Sequence, residues 1–387
     1  MPSKKKSSYQ KRSKQRLKPL VKWAGGKKQE LKYILPELPE FENYYEPFVG
    51  GGAVYTAIKA NNYYINDKSD ELIDLYKVIV SGERDAFFNA LEEIIKSWNK
   101  LKPIIEKSPI QLVGEYKLFT TDRISHSQLS DTVNDFVSVN SRPFRSLLFR
   151  IHRKSYEHFW LELRINLTRK FDRMKKLERL KGKLPDKDIA DNIESAIKSA
   201  FYMHIRYLYN RHEIEKYSST LYTAFFLFIR NFAYGGMFRY NNKGQLNVPY
   251  GGIAYNRKNF MKKVNYLKSG ILKEILEKTV IENKDFETFL KDNQPTPKDF
   301  IFLDPPYDTE FTMYANNDFT KKDHKRLAHY LLHDCPAYWM MVIKKTDFIY
   351  DLFNQKGINI TSFDKTYLVS FMNRNDKETE HLIIKNY

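Results

Sequence analysis

The spacing of apolar positions divides the chain into two kinds of segment. Near the N-terminus, short apolar stretches alternate with helical patterns, and apolar runs return from about residue 270. One of these runs, "DFIFLD", is continuously apolar, as expected for a strand that is covered on both sheet faces. "EPFVGGGAVYTAIKA" predicts a strand, a Gly-rich turn and a helix, and "DELIDLYKVIV" predicts a second helix. This order predicts an α/β fold with a parallel sheet.

The middle of the chain has a different character, with long amphipathic stretches over residues 81–230. "AFFNALEEIIKSWNKL" and "DIADNIESAIKSAFYMHIRYLYNRH" have helical periodicity, whereas "INITSFDKTYLVSF" and "ETEHLIIKNY" near the C-terminus predict a terminal pair of strands. The pattern therefore predicts three parts. Residues 1–18 form a basic flexible arm, residues 19–80 and 270–387 form an α/β domain, and residues 81–269 form an inserted, mainly helical domain.

The charge of the chain is strongly positive, because 65 Lys and Arg residues face 47 Asp and Glu residues and give a net charge of +18. Such a surface, with 27 Tyr and 27 Phe residues in the chain, suits a polyanion that carries aromatic bases. A genome biased toward lysine codons accounts for the composition equally well. Between Arg142 and Lys183, fourteen basic residues stand against four acidic ones. This segment is either a phosphate-facing surface or a solvated helix face.

Several classes of protein do not fit the sequence. The single cysteine, Cys335, rules out an internal disulfide and a multi-cysteine metal site, and it fits a reducing cytoplasm. The longest apolar runs are too short to span a bilayer. "HEIEK" lacks the second histidine of a zinc protease motif, and a zinc deaminase needs more cysteines.

The Gly-rich segment "EPFVGGGAV" would allow a ligand to approach the backbone closely, although a tight structural turn has the same sequence. Tyr55 stands where a dinucleotide fingerprint requires glycine, which disfavours a nicotinamide cofactor. Asp67 ends the next predicted strand, where an acid binds ribose hydroxyls or caps a helix. In "KWAGGKKQEL", Trp23 is a candidate for stacking on a ring and Lys27 for pairing with a carboxylate, but a core side chain and a surface charge are equally consistent.

Two further segments carry candidate chemistry. "NFAYGGMFRYNNKGQLNVPYGG" has the turn signals of a β-hairpin, on which Arg239 could read guanine, although a plain surface hairpin has the same signals. In "IFLDPPYD", two prolines end a strand abruptly and hold its exit stiffly. Tyr307 there offers a stacking ring, Asp304 an acceptor for amino hydrogens, and Pro305 a free carbonyl. These groups suit a pocket for a flipped base.

In the order "KWAGGK", "EPFVGGG", "IND", "NFAYGG", "FRYNNKGQLNVP", "DF", "DPPY", the segments resemble the α-group, Dam-like adenine-specific DNA methyltransferases. The resemblance covers residues 19–80 and 225–320 well and residues 85–220 poorly. It implies a class I fold that depends on S-adenosylmethionine (SAM). That fold has a Rossmann-like seven-stranded sheet and a large inserted, mainly helical target-recognition domain with a β-hairpin. The implied reaction moves a methyl group from SAM to N6 of a flipped adenine in duplex DNA, without a metal, in a restriction–modification or Dam-like role.

The resemblance also implies roles for individual residues. The implied catalytic motif consists of Asp304, Pro305, Pro306 and Tyr307. The implied cofactor contacts are Trp23, Lys27, Pro47, Gly50, Gly52, Asp67, Asp285, Phe286 and Asp304. The implied DNA-binding residues are Tyr234, Met237, Arg239, Asn247 and Pro249. Members that recognise GATC usually carry Asn where Gly235 stands, so the resemblance does not predict the recognition sequence.

The sequence leaves two alternatives open. One is a cytosine-N4 DNA methyltransferase that uses the same chemistry, and the other is a catalytically inactive DNA-binding regulator of the same fold. In the main interpretation the enzyme is cytoplasmic and associates with the nucleoid through duplex DNA. A cognate restriction endonuclease that acts separately is a further candidate partner.

Overall fold

The computed structural model describes residues 17–23, 25–149, 151, 156–237, 239–307, 319–366 and 378–387. These residues group into two compact units. The sheet unit contains the described residues up to Tyr76 and from Leu267 onward, and the helical unit is Lys77–Tyr266. The sequence predicts an insertion over residues 81–269, and the basic arm predicted at residues 1–18 lies mostly outside the described residues.

The sheet unit contains a seven-stranded sheet, as the resemblance implies. Its strands are β1 (Tyr44–Glu46), β2 (Tyr63–Asn66), β3 (Thr279–Glu282), β4 (Phe300–Leu303), β5 (Tyr338–Lys344), β6 (Asn359–Thr366) and β7 (Glu378–Lys385). Their spatial order is β3-β2-β1-β4-β5-β7-β6. The first five strands in that order are parallel, whereas β7 is antiparallel to both β5 and β6.

The burial of the strands explains why they form a central sheet. All four residues of β4 are buried, and β5 is buried from Trp339 to Ile343. Such continuous apolar strands belong to the middle of a sheet that is covered on both faces. The register sets Tyr44 of β1 opposite Phe300 of β4. The predicted pairing of the two C-terminal strands is confirmed, whereas β3 was not predicted from the sequence.

The described residues contain sixteen α-helices, which belong partly to the sheet unit and partly to the helical unit. They are α1 (Leu31–Ile34), α2 (Asp70–Val78), α3 (Arg84–Lys107), α4 (Leu112–Thr120), α5 (His126–Val139), α6 (Ser141–Phe149), α7 (Tyr156–Lys181), α8 (Asp186–Tyr209), α9 (His212–Glu215), α10 (Ser219–Phe232), α11 (Ile253–Asn256), α12 (Met261–Leu267), α13 (Gly270–Glu277), α14 (Phe286–Asn293), α15 (Lys321–His329) and α16 (Asp347–Phe353). No helix in the described ranges is long and apolar enough to cross a membrane.

The helical unit has its own aromatic core. Trp98 of α3 lies among the rings of Phe228 (5.4 Å between centroids), Phe232 (4.5 Å) and Tyr250 (5.7 Å). Aromatic pairs at these separations add to the free energy that area burial alone supplies. The two long helices that the sequence predicts here, α3 and α8, are both confirmed.

One local prediction was wrong, because no helix follows the Gly-rich turn. The segment forms only a short 3₁₀ turn at Tyr55–Ala57, and Ile58 is already extended. The buried Glu46 carboxylate accepts the Tyr55 backbone N–H (3.0 Å) at the start of this turn, and the Ile58 side chain is buried where the turn ends.

The hairpin predicted between residues 231 and 252 is represented among the described residues by two antiparallel bridges, at Ala233 with Tyr250 and at Tyr240 with Leu246.

Candidate active site

The parallel sheet brings several predicted site residues to one edge. Strands β3, β2, β1 and β4 are neighbours and run in the same direction, so their carboxyl ends lie side by side. Pro47 follows β1, Asp67 follows β2, Asp285 stands three residues after β3, and Asp304 follows β4. Ligands of open α/β sheets bind at this edge.

The Gly-rich turn requires glycine for reasons of space and of backbone conformation. Gly50 has a φ of +49° and Gly52 a φ of +74°, both in the left-handed region. A Cβ atom would approach the Trp23 ring to 2.8 Å at Gly50 and the Tyr76 hydroxyl to 2.4 Å at Gly52. At Gly51 it would lie 2.4 Å from the Val21 carbonyl oxygen. The glycines therefore allow the turn to pack directly against Val21, Trp23 and Tyr76.

Asp67 is fixed toward this turn. One of its carboxylate oxygens accepts the Gly50 N–H (2.9 Å), and the other accepts the Ser69 N–H (3.0 Å). Burial raises the pKa of Asp67. Hydrogen bonds from the backbone N–H groups of Ser69 and Gly50 lower this pKa in part, and the negative charge of Asp304 raises it slightly further. The carboxylate is thus held beside the bare backbone of the turn, where ribose hydroxyls could donate to it.

Asn66 organises the same edge and was missed in the sequence analysis. Its side-chain amide donates to the Pro47 carbonyl (3.1 Å) and to the Lys284 carbonyl (3.0 Å), and its side-chain oxygen accepts the Lys284 N–H (2.8 Å). The residue is almost fully buried. Asn66 therefore connects the chain segments that follow β1 and β3. The available signal was a polar amide at the buried end of a strand, in "IND".

Asp285 and Phe286 lie at the start of α14. The Asp285 carboxylate accepts the Glu287 N–H (3.1 Å) as a helix cap and forms an ion pair with Arg326 (2.7 Å). Phe286 is buried, contacts the ring of Phe48 (5.6 Å between centroids), and lies 4.9 Å from the Arg326 guanidinium. Phe48 belongs to the Gly-rich turn, so this aromatic contact joins two segments that the resemblance assigns to the cofactor. Sequence reasoning did not identify Arg326.

The end of β4 carries a charged corner. Asp304 forms an ion pair with Lys27, whose side chain is 2% exposed against 18% for Asp304. The Lys27 ammonium also donates to the Gly25 carbonyl (3.0 Å) and approaches the Tyr307 hydroxyl (3.4 Å). The carboxylate partner that the sequence suggested for Lys27 is therefore the aspartate of the "DPPY" motif. This buried ammonium links the "KWAGGK" and "DPPY" segments, which are far apart in the chain.

Tyr307 has a second polar neighbour in His381 of β7. The Tyr307 hydroxyl lies 3.3 Å from Nε2 of His381, and the two rings meet edge to face with 5.7 Å between centroids. His381 is fully buried, and its ring also contacts Phe363 of β6 (5.7 Å). The tyrosine is thus oriented from two sides, by Lys27 and by His381. Sequence reasoning missed His381 because only the sheet register brings it to the motif.

Glu46 is a third carboxyl group near Asp304 and Asp67. It accepts hydrogen bonds from the Tyr44 hydroxyl (2.7 Å) and from the Tyr55 N–H. Burial raises the pKa of Glu46 well above its ordinary value, and the nearby charges of Asp304 and Asp67 raise it further. A protonated Glu46 would carry no charge, so it would not repel the two aspartates that face the edge.

The helical unit contains the predicted DNA-binding residues. The Arg239 guanidinium donates twice to the Asn247 carbonyl (3.1 and 2.9 Å), and the Tyr234 N–H donates to the Pro249 carbonyl (2.9 Å). Tyr234, Arg239 and Pro249 are exposed, and Met237 is half-buried. The segment thus presents polar and aromatic side chains to solvent, with Arg239 held in place by its own strand partner.

Gly235, next to Tyr234, has a φ of +61°. Among residues with a side chain, Asn tolerates this left-handed conformation best. The conformation therefore suits both the glycine of this chain and the asparagine that, according to the resemblance, members that recognise GATC usually carry at this position.

Comparisons with known proteins agree with this arrangement. The family model described as D12 class N6 adenine-specific DNA methyltransferase matches residues 23–106 and 172–368. The Type II methyltransferase M.CviBI of Paramecium bursaria Chlorella virus NC1A is 26% identical over 380 residues, which cover 96% of this chain and 100% of that protein. The Type II methyltransferase M.MjaIII of Methanocaldococcus jannaschii is 25% identical over 325 residues, 81% of this chain and 79% of that protein.

A DNA adenine methylase of Vibrio cholerae is 23% identical over 317 residues, which cover 80% of this chain and 73% of that protein. The family match includes the Gly-rich turn, Asp67, the exposed Arg239 segment and the "DPPY" corner. The chain belongs to the D12 class of N6 adenine-specific DNA methyltransferases.

Proposed function

We propose that the enzyme uses SAM as its methyl donor and methylates N6 of an adenine that has been flipped out of duplex DNA at a specific sequence. The observation that carries this proposal is the corner made by Lys27, Asp304 and Tyr307 at the end of β4. The neighbouring strand β1 leads into the bare Gly-rich turn, so the corner and the turn share one edge of the sheet.

The residues of this edge fit the donor. We place its amino-acid part against the backbone of the Gly-rich turn beside Trp23, and its ribose hydroxyls beside the Asp67 carboxylate, which is held toward this turn. Phe286 and the Asp285 carboxylate are suited to its adenine ring. When bound, the donor supplies an electrophilic methyl group on a sulfonium.

The corner fits the amino group and the ring of the target adenine. Asp304 and the Pro305 carbonyl accept its amino hydrogens, which localises the nitrogen lone pair for attack. Tyr307 stacks on the base, and such stacking contributes about 1–3 kcal/mol per base. This offsets part of the few kcal/mol that flipping costs.

Lys27 holds the Asp304 carboxylate in position before the base arrives, because its buried ammonium contacts Asp304 and lies close to the Tyr307 hydroxyl. A group that is already placed needs no reorganisation during the reaction. No strongly shifted general base is required, since the adenine nitrogen becomes acidic only as the new bond forms. Its proton passes to Asp304 or to water.

The helical unit supplies target recognition in this proposal. Tyr234, Met237, Arg239, Asn247 and Pro249 contact the duplex, with Arg239 reading a guanine. Two of the relatives described above are named Type II methyltransferases, which supports a role beside a separately acting restriction endonuclease. We place the enzyme in the cytoplasm, on the DNA that it modifies.

The proposal is tested by incubating the purified chain with duplex DNA and SAM that carries a labelled methyl group. The DNA is digested to nucleosides, which are identified by mass spectrometry. We expect label in N6-methyl-2′-deoxyadenosine. Label in N4-methyl-2′-deoxycytidine would show a cytosine enzyme, and DNA binding without any transfer would show an inactive regulator; either result contradicts the proposal.

A further inference from the structure

The strand at residues 246–248 is held by side chains of α8 rather than by a regular ladder. Asn210, which follows α8, donates from its amide to the Leu246 carbonyl (3.0 Å) and accepts the Leu246 N–H (2.9 Å). Its side chain thus makes both hydrogen bonds that a neighbouring strand would make. Its own position is fixed because its backbone N–H continues the hydrogen bonds of α8.

Two further side chains of α8 bind the same strand one residue beyond Asn247. The hydroxyl of Tyr202 (3.1 Å) and the guanidinium of Arg206 (2.8 Å) both donate to the Val248 carbonyl. Tyr202 is fully buried and Arg206 is half-buried. Burial is the largest cause that lowers the pKa of Arg206, so the protein holds a costly charge at this carbonyl.

Asn247 faces the other way and holds Arg239. Its N–H donates to the Arg239 carbonyl (2.7 Å), and its own carbonyl accepts two bonds from the Arg239 guanidinium. Leu246 and Val248 are buried on both sides of Asn247. Because successive residues of an extended strand point to opposite sides, one side of the strand binds α8 and the other holds the arginine.

The segment also pairs with itself, since the Asn241 N–H donates to the Gln245 carbonyl (2.8 Å) and the Tyr234 N–H to the Pro249 carbonyl (2.9 Å). Within the described residues, however, this pairing includes two single bridges and no continuous ladder, and an isolated two-stranded hairpin is at best marginally stable in water. By contrast, α8 is packed against α3, α7 and α10. The position of Arg239 therefore depends on the rigid helix through the strand at 246–248.

From these contacts we propose that Asn210, with Tyr202 and Arg206, is a positioning residue for sequence selectivity. This inference rests on the proposed role of the Arg239 segment in reading DNA. Asn210 acts through the strand and Arg239, and it does not itself contact a base. Removing its side chain frees the strand, so Arg239 no longer presents its donors in one fixed place.

The test compares Asn210→Ala with Asn192→Ala, a matched change in the first half of the same helix. Among the described residues, the Asn192 amide bonds only within its own helix, to the Asp188 carbonyl (2.8 Å). Selectivity is the ratio of two kcat/KM values. The first is measured on a duplex with the sequence that the wild-type enzyme methylates, and the second on duplexes in which one base pair of that sequence is altered. For Asn210→Ala we expect this ratio to fall about tenfold at one position, as for loss of one base-reading contact. The control should keep the wild-type ratio.

Two further measurements separate positioning from general loss of structure. Hydrogen exchange at the Leu246 amide should become faster in Asn210→Ala, while exchange in α3 stays slow. In an Arg239→Ala background, Asn210→Ala should cause no further loss of selectivity, because both changes act through the same arginine. Asn210→Asp serves where the alanine variant folds poorly, since it keeps the size and the acceptor but removes the donor to Leu246.

Two results would overturn the inference. One is an Asn210→Ala enzyme whose Leu246 amide exchanges faster but whose selectivity is unchanged. The other is a double variant in which the selectivity losses of Asn210→Ala and Arg239→Ala add. The activity of the wild-type enzyme distinguishes these results from failure of the proposed function. If the proposed function were wrong, the wild-type enzyme itself would transfer no methyl group to adenine.

Discussion

The two units of this enzyme place their candidate functional residues in different ways. In the sheet unit, Pro47, Asp67 and Asp304 each follow the end of a parallel strand, and strand order alone brings them to one edge. In the helical unit, the segment that carries Arg239 is held by two side chains of α8 and by Asn210, which follows that helix, and these residues lie 36 to 46 positions earlier in the chain than the residues they bind. The first kind of site can be found from short motifs, and the second only from the folded structure.

The difference has consequences for substitution. A change at a strand end should affect chemistry or donor binding and leave sequence choice alone. A change in the helical unit should affect where the enzyme methylates, with a smaller effect on how fast the methyl group moves.

The largest effect is expected for Asp304→Ala. This change removes the acceptor for the adenine amino group, and loss of one positioned polar group in a transition state costs about 10²–10³ in kcat. Single-turnover methyl transfer to duplex DNA measures it. Asp304→Asn, which keeps the shape, should be similarly slow, and a near-normal rate in both variants would contradict the assignment of the corner.

A smaller effect is expected for Asp67→Asn, which changes the acceptor for the ribose hydroxyls. Hydrogen bonds to charged groups contribute about 1.5–3 kcal/mol, so donor affinity should fall about tenfold or more in calorimetry. Sequence selectivity should not change. Equal donor affinity in both proteins would remove Asp67 from the donor site.

Asp67 also predicts a pH dependence. Burial raises its pKa, so as the pH falls the folded protein protonates Asp67 before an ordinary aspartate would be protonated. A protonated Asp67 accepts ribose hydrogen bonds less well, and donor affinity should therefore decrease with falling pH, beginning above the ordinary aspartate range. The same raised pKa means that the folded state is favoured at low pH and loses this contribution as the pH rises through the folded pKa. Asp67→Asn should flatten the pH dependence of binding, and an unchanged pH profile would contradict the assignment.

Arg239→Ala tests the helical unit directly. Loss of a bidentate contact to guanine should reduce discrimination at one base by about 1–3 kcal/mol. Sequencing that detects modified bases, applied to a library of sites, measures it. Because Arg239 is not part of the corner, donor affinity should stay at the wild-type value. Equal selectivity would mean that another segment reads the DNA.

The smallest effect is expected on the outer face of α7. Arg169, Arg173 and Lys176 are exposed at a spacing that puts them on one helix face, and no carboxylate in the described residues pairs with them. Each like-charged pair at this spacing costs about 0.2–0.5 kcal/mol, which a bound phosphate would offset, so we predict that this face contacts DNA. Replacing all three with Gln should reduce the slope of log affinity for DNA against log salt by about one per lost phosphate contact.

A matched control removes three lysines that already pair within the protein. Lys96, Lys102 and Lys273 are about half exposed and form ion pairs with glutamates one helical turn away. Their replacement with Gln changes the net charge by the same amount. If this control changes the salt slope as much as the α7 variant, the effect belongs to net charge rather than to a binding face.

The sequence predicted the structure best where residue types alone restrict the backbone conformation. The two prolines after β4 and the three glycines after β1 fix backbone geometry locally, so the strand exits could be predicted from residue types. The helix expected after the glycines did not form, and the chain is already extended at Ile58, whose side chain is buried, after a single 3₁₀ turn.

Contacts between distant segments could not be predicted. His381 reaches Tyr307, and Asn66 connects two strand ends, only because of the strand order and register. The sequence suggested that Lys27 pairs with a carboxylate, but it did not identify Asp304 as that carboxylate. Asn210 carried no signal at all, because a polar residue at a helix end is most often a cap.

The most direct test of the account is a structure of the enzyme with its methyl donor bound. A reacting nitrogen would lie about 3 Å from the methyl carbon and about 3 Å from its acceptor, so the account predicts a methyl carbon within about 6 Å of an Asp304 oxygen. A donor whose methyl group points to the opposite face of the sheet, or lies too far from Asp304 for one adenine to reach both, would contradict it.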